Sequence, residues 1–187
     1  LRSAFFYIDT TLQDLTSLTS NDFELFGLIP RFAQHRPAID ARWKELQRQA
    51  HPDKFAAQGG AAQRVAMQWS VRINEAYRRL KNPLERASYI CELNGAAINA
   101  ENNTAMPTAF LMQQMEWREA LEDADCLLDV ETIETEVRQR RQEMLDEIAQ
   151  TLDEKKDFPA AANQVRSLMF VERFASELES RLEQLGQ

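Results

Sequence analysis

The sequence predicts an all-α protein, in which a helical hairpin with short flanking helices is joined to a C-terminal three-helix bundle. Three observations carry this. Apolar residues recur at spacings of three and four over most of the chain, the period of helices buried on one side. No stretch alternates apolar and polar residues as a half-buried strand would. Only 5 Gly and 6 Pro interrupt 187 residues, 44% of them hydrophobic, which suits long helices around a core rather than a disordered chain.

Taken in order, Asn21-Asp22 is expected to cap a short helix, Phe23–Phe26, that Gly27 ends and Pro30 prevents from extending. A second helix should run from about Pro37 to Ala50. Its buried stripe is Ile39, Trp43, Leu46 and Ala50, at spacings of four, three and four. Lys44, Arg48 and His51 line a neighbouring face without an acidic residue, so a basic ridge should run beside the stripe. A short Gly-containing loop, Phe55 to Gly60, leads to a third helix that ends near Asn82-Pro83, with Val65, Trp69, Ile73, Ala76 and Leu80 inward. Two such helices with facing stripes and so short a loop pack antiparallel.

Leu84–Tyr89 begins a further short helix that Asn94-Gly95 breaks, and Ala96–Pro107 reads as a linker. Three helices follow. Thr108–Asp125 is the first; Val130–Lys156 is the second, with Ile133, Val137, Met144, Ile148 and Leu152 inward. Asp157-Phe158-Pro159 starts the third, which carries Val165, Leu168, Val171, Ala175, Leu178, Leu182 and Leu185. The first of these is the most informative. Phe110, Trp117 and Leu121 form one apolar set, while Leu111, Met112 and Met115 widen it beyond one stripe. Either the helix is buried on two sides or one set faces solvent, where Met-rich surface suits adaptable recognition.

Net charge is −8 and is divided unevenly. Asn21–Ser88 holds 12 Lys/Arg against 7 Asp/Glu, and Tyr89–Gln187 holds 9 against 21. Two surfaces of opposite sign imply two different partners. The basic half lacks the stacking aromatics among its charges that single-stranded nucleic acid requires, so an acidic protein is the expected partner and nucleic acid is not. Cys91, Cys126, His35 and His51 show no metal-ligand spacing, so neither metal nor cofactor is expected. The two unspaced thiols suit a reducing compartment, no apolar run approaches the length of a membrane span, and no nucleophile–base pair or phosphate loop suggests an enzyme.

His51-Pro52-Asp53 between two helices resembles a J-domain, the module that stimulates the ATPase of an Hsp70-type chaperone. Two further segments, Thr108-Ala109-Phe110-Leu111-Met112-Gln113-Gln114-Met115-Glu116 and Val165-Arg166-Ser167-Leu168-Met169-Phe170, make Asn21–Gln187 similar to the HscB family, J-type co-chaperones of iron–sulfur cluster assembly. The resemblance implies a J-domain over 21–88, a connecting segment over 89–107 and a cargo-binding bundle over 108–187. Leu1–Ser20 has no counterpart and reads as an extension or mis-assigned start. It also implies an HscA-like Hsp70 partner for His51, Pro52, Asp53 and Lys54, with docking steered by Arg42, Lys44 and Arg48. An IscU-like cluster scaffold would bind Leu111, Met112, Met115 and Phe170, rimmed by Glu116, Glu119 and Asp123. In that role Pro52 stiffens the loop, His51 supplies hydrogen bonds or packing at the helix end, and Asp53 offers a fixed carboxylate to a cationic partner group. The absence of an amino-terminal cysteine region points to a bacterial, cytoplasmic member. A general J-protein that delivers unfolded clients is the alternative.

Overall fold

In the computed structural model, residues 19–99 and 106–185 are described, and all regular structure among them is helical. The chain divides into two compact units between Arg86 and Ala87. The expectation for Leu1–Ser20 falls mostly outside the described residues.

In the first unit, α1 (Asp22–Phe26) opens with the capping box that its sequence encodes. Asn21 accepts the Glu24 N–H at 2.9 Å while Glu24 reaches back to the Asn21 N–H at 3.1 Å. Gly27, at φ 63°, closes the helix in the left-handed region that costs glycine least. Asp22 is fully buried and bonds Arg79 at 2.6 and 3.0 Å and Arg72 at 2.6 Å. A carboxylate out of water requires such partners, and these tie α1 to the third helix.

Helices α2 (Arg36–Gln49) and α3 (Gly60–Lys81) form the hairpin. The segment between them differs from the expected loop: Pro52–Gln58 is a 3-10 helix. Pro52 supplies a helical φ at its first position, and Phe55 is buried beneath it. Two stripe residues also differ. Trp43 is only half-buried, because its indole N–H finds Asn74 Oδ1 at 2.9 Å and its ring stacks on Tyr77 at 4.7 Å. Val65 is half-buried too, and Ala62 and Ala66 take the inward positions before Trp69, Ile73, Ala76 and Leu80.

Helix α4 (Pro83–Leu93) starts on an Asn82 cap, whose Oδ1 accepts the Leu84 and Glu85 N–H groups at 2.9 and 3.2 Å. Arg86 is buried; it donates to the Phe32 carbonyl at 2.8 Å and lies 5.0 Å above the Phe32 ring.

The second unit contains α5 (Thr108–Glu122), α6 (Leu127–Ala149) and α7 (Phe158–Leu185). A π-helical turn, Gln150–Lys155, extends α6, and Lys156 at φ 57° ends it. Asp157 then caps α7 by accepting the Ala160 N–H at 3.0 Å. The first two boundaries fall a few residues from expectation: α5 already ends at Glu122, and Asp129 reaches back to cap α6 at Cys126. Val130, Val137, Ile148, Leu152, Val165, Leu168 and Leu178 form the bundle core. Ala175, Leu182 and Leu185, assigned inward from their spacing, are only half-buried. Phe174 fills the interior beside Ala175 instead, stacked on Trp117 at 5.8 Å.

Candidate functional site

Two surfaces stand out, one in each unit. At the end of α2 the chain is fixed by local hydrogen bonds. His51 Nδ1 accepts the Asp53 N–H at 3.3 Å, and the His51 carbonyl accepts the Lys54 N–H at 3.0 Å. Pro52 and the buried Phe55 brace the same turn. Out of this fixed backbone the Asp53 side chain projects with 90% of its surface exposed; its nearest ionisable neighbour is His51 Nδ1 at 3.6 Å. A carboxylate that supports the fold accepts several hydrogen bonds, as Asp22 does. Asp53 is held in place yet available to another molecule.

Lys44, Arg48 and Lys54 are exposed near this turn and form no ion pair among the described residues. Arg42 must be separated from them. At 100° per residue it lies about 160° around α2 from Lys44 and about 120° from Arg48, and its guanidinium is bonded to Glu45 at 2.9 Å. The ridge consists of Lys44 and Arg48, with Lys54 beyond the helix end.

Between ridge and partner helix runs a polar seam that sequence periodicity did not reveal. Gln47 Nε2 donates to Asn74 Oδ1 at 2.7 Å and to the Ser70 carbonyl at 3.2 Å, and Ser70 Oγ donates to Gln47 Oε1 at 2.8 Å. Further along, the Tyr77 hydroxyl donates to Asp40 at 2.8 Å and Arg36 donates to the same carboxylate at 3.2 Å. The Tyr77 hydroxyl holds the Asp40 carboxyl below the usual range, and Asp40 pushes the phenol above its own. The sequence signal was a set of polar residues at helical spacing beside each stripe.

On α5 the two apolar sets separate cleanly. Phe110 and Trp117 are buried, whereas Leu111, Met112 and Met115 are exposed, Met115 to 61%. Glu116, Glu119 and Asp123 are exposed as well. Helical geometry puts all six on one side of α5, apolar residues toward its start and carboxylates toward its end. Phe170 on α7 is 38% exposed, as is its neighbour Met169, which helical spacing does not single out. Phe110 shares a cleft with Gln164 and Ser167, and Leu121 shares another with Glu177 and Arg181. With the Trp117–Phe174 stack between them, these contacts set α5 and α7 parallel. Phe170 therefore stands level with Gln113 and Gln114, in the stretch of bundle that carries Leu111 and Met115.

Among the described residues no helix is long and apolar enough to cross a membrane, and no cluster of His, Cys, Asp and Glu could hold a metal. Cys91 is buried, which pushes its thiol up to about 11.

Residues 106–179 match the family described as HSCB C-terminal oligomerisation domain. A co-chaperone protein HscB homolog of Burkholderia multivorans is 48% identical over 174 residues, spanning 91% of this chain and 99% of that one. The chain belongs to the HscB co-chaperone family. Solved HscB structures agree with the fold. The chaperone HscB from Vibrio cholerae superposes with a TM-score of 0.77 at 34% identity, covering 89% of this chain and 99% of that one. Human co-chaperone HscB gives 0.84 at 25% identity, covering 89% and 84%. The hairpin unit is thus the J-domain of an HscB protein, and its relatives are co-chaperones rather than enzymes.

Proposed function

We propose that this HscB-family protein carries an iron–sulfur cluster scaffold to a specialised Hsp70 and stimulates that chaperone's ATPase, assisting maturation and transfer of clusters in the bacterial cytoplasm. In this reading 21–88 is the J-domain, 89–107 connects, and 108–187 binds the scaffold. His51-Pro52-Asp53 and Lys54 meet the ATPase, which Lys44 and Arg48 steer toward the surface; Arg42 faces elsewhere. Leu111, Met112, Met115 and Phe170 form the apolar centre of the scaffold site, with Glu116, Glu119 and Asp123 at its rim.

The observation that carries this reading is the division of α5. Its buried side is already complete with Phe110 and Trp117, so its exposed Leu-Met-Met side contributes little to the core and is free for recognition. An interface centre built from apolar anchors loses about 2 kcal/mol or more when one is truncated, roughly thirtyfold in affinity. Leu111→Ala and Phe170→Ala are therefore expected to weaken scaffold binding by about that factor while the melting temperature stays put. If these residues instead served the core, each truncation would cost about 2–5 kcal/mol of stability, and a large drop in the melt would count against the site. Equal capture of denatured proteins and folded scaffold would favour a general delivery role.

A further inference from the structure

We propose that the surface meeting the Hsp70-type partner does not stop at α2 but crosses the hairpin onto α3, where Met67 and Val71 receive an apolar side chain from an acidic partner surface. This rests on the reading of His51-Pro52-Asp53 given above and deepens it. Met67 and Val71 are 60% and 53% exposed, one helical turn apart, and form the apolar floor of a shallow groove walled by Arg64, Gln68, Glu75 and Arg72, the last already paired with Asp22. The inward side of α3 is already filled by Ala62, Ala66, Trp69 and Ile73, so the core does not account for them.

Their placement identifies the occupant. The Gln47–Ser70 hydrogen bonds set Ser70 level with Gln47. On an antiparallel hairpin, Met67 and Val71 then lie at the His51 end, across the seam from Arg48. Each helix turns its next residues outward beside that seam: Lys44 and Arg48 on α2, Met67 and Val71 on α3. In the seam, Gln47, Ser70 and Tyr77 are already engaged in internal hydrogen bonds. What remains is one face with a basic shoulder and an apolar shoulder. Lys44, Arg48, Lys54 and Arg64 carry no ion pair among the described residues, while Glu75 lies at the far end of the groove. Charge complementarity selects an acidic protein surface, and the apolar pair selects an aliphatic anchor within it.

The test is stimulation of the Hsp70 ATPase titrated with full-length chain. Met67→Ser/Val71→Ser is expected to raise the concentration for half-maximal stimulation at least about tenfold, with the maximum at saturation retained and an unchanged melt. Met67→Leu/Val71→Ile should titrate like wild type, which separates lost contact from lost folding. Asp53→Asn should lose stimulation at every concentration. If Asp53→Asn fails but the serine variant titrates normally, the proposed extension is overturned and the loop reading stands. If Asp53→Asn stimulates fully, the loop reading falls and the extension with it. Concentration-dependent self-association in sedimentation that the serine variant abolishes without changing stimulation would assign the groove to a second copy, again overturning the proposal.

Discussion

At the scale of single residues, two carboxylates show how burial separates structure from function. Asp22 is fully buried between Arg72 and Arg79; Asp53 projects into water from a rigid turn. Removing one partner of a buried pair typically costs about 3–5 kcal/mol. Asp22→Asn is therefore expected to lower stability by about 3 kcal/mol, read by denaturant unfolding of the full chain. Asp53→Asn should leave that unfolding curve in place and abolish ATPase stimulation; retained stimulation would sink the proposed mechanism. The thiols divide the same way. Burial pushes Cys91 up to about 11 while Cys126 is exposed at the start of α6. At neutral pH a maleimide should label Cys126 alone in the native chain and both thiols in denaturant. Rapid native labelling of Cys91 would contradict its burial.

At the scale of elements, the seam between α2 and α3 gives a pH signature. The Tyr77 hydroxyl depresses the folded Asp40 carboxyl, so this contribution is present above the unfolded value of about 3.9 and is lost as pH falls through the folded one. Asp40 raises the folded Tyr77 phenol, so the phenol's share is present below about 10 and lost as pH rises through its folded value. Tyr77→Phe should thus melt below wild type across neutral pH, with the gap narrowing at both acid and alkaline extremes. A gap independent of pH would place the Tyr77 contribution in its ring stack with Trp43 alone. The exposed side of α2 makes a different forecast. Lys44→Glu/Arg48→Glu should slow association with the Hsp70, and the wild-type rate should fall with added salt, since exposed charges are screened over about 8 Å at physiological ionic strength. The proposed scaffold binding by α5 should hardly respond, and an equal loss there would indicate misfolding.

At the scale of the whole molecule, the charge division in the sequence, 12 basic against 7 acidic residues over 21–88 and 9 against 21 beyond, falls almost where the chain divides into two compact units, at Arg86 and Ala87. Charge of this kind governs encounter more than fold, which is why it was legible without coordinates. So were the helices, since apolar spacing and caps such as Asn21–Glu24 and Asn82 act over a few neighbouring residues. The His51-Pro52-Asp53 turn was legible in type but not in form: its 3-10 winding depends on Phe55 reaching the core. Spacing alone also could not decide which apolar set on α5 faced water. That follows from the Trp117–Phe174 stack, a contact between residues 57 positions apart in the chain. Nor could it place Arg42 against Glu45, or join Gln47, Ser70, Asn74 and Trp43 into one seam. The sequence by itself determined the helices, their approximate extents and the division of charge, because propensity, capping and periodicity are local. The tertiary structure decided which side chains lie open to a partner, because exposure depends on which distant residue has already filled the space.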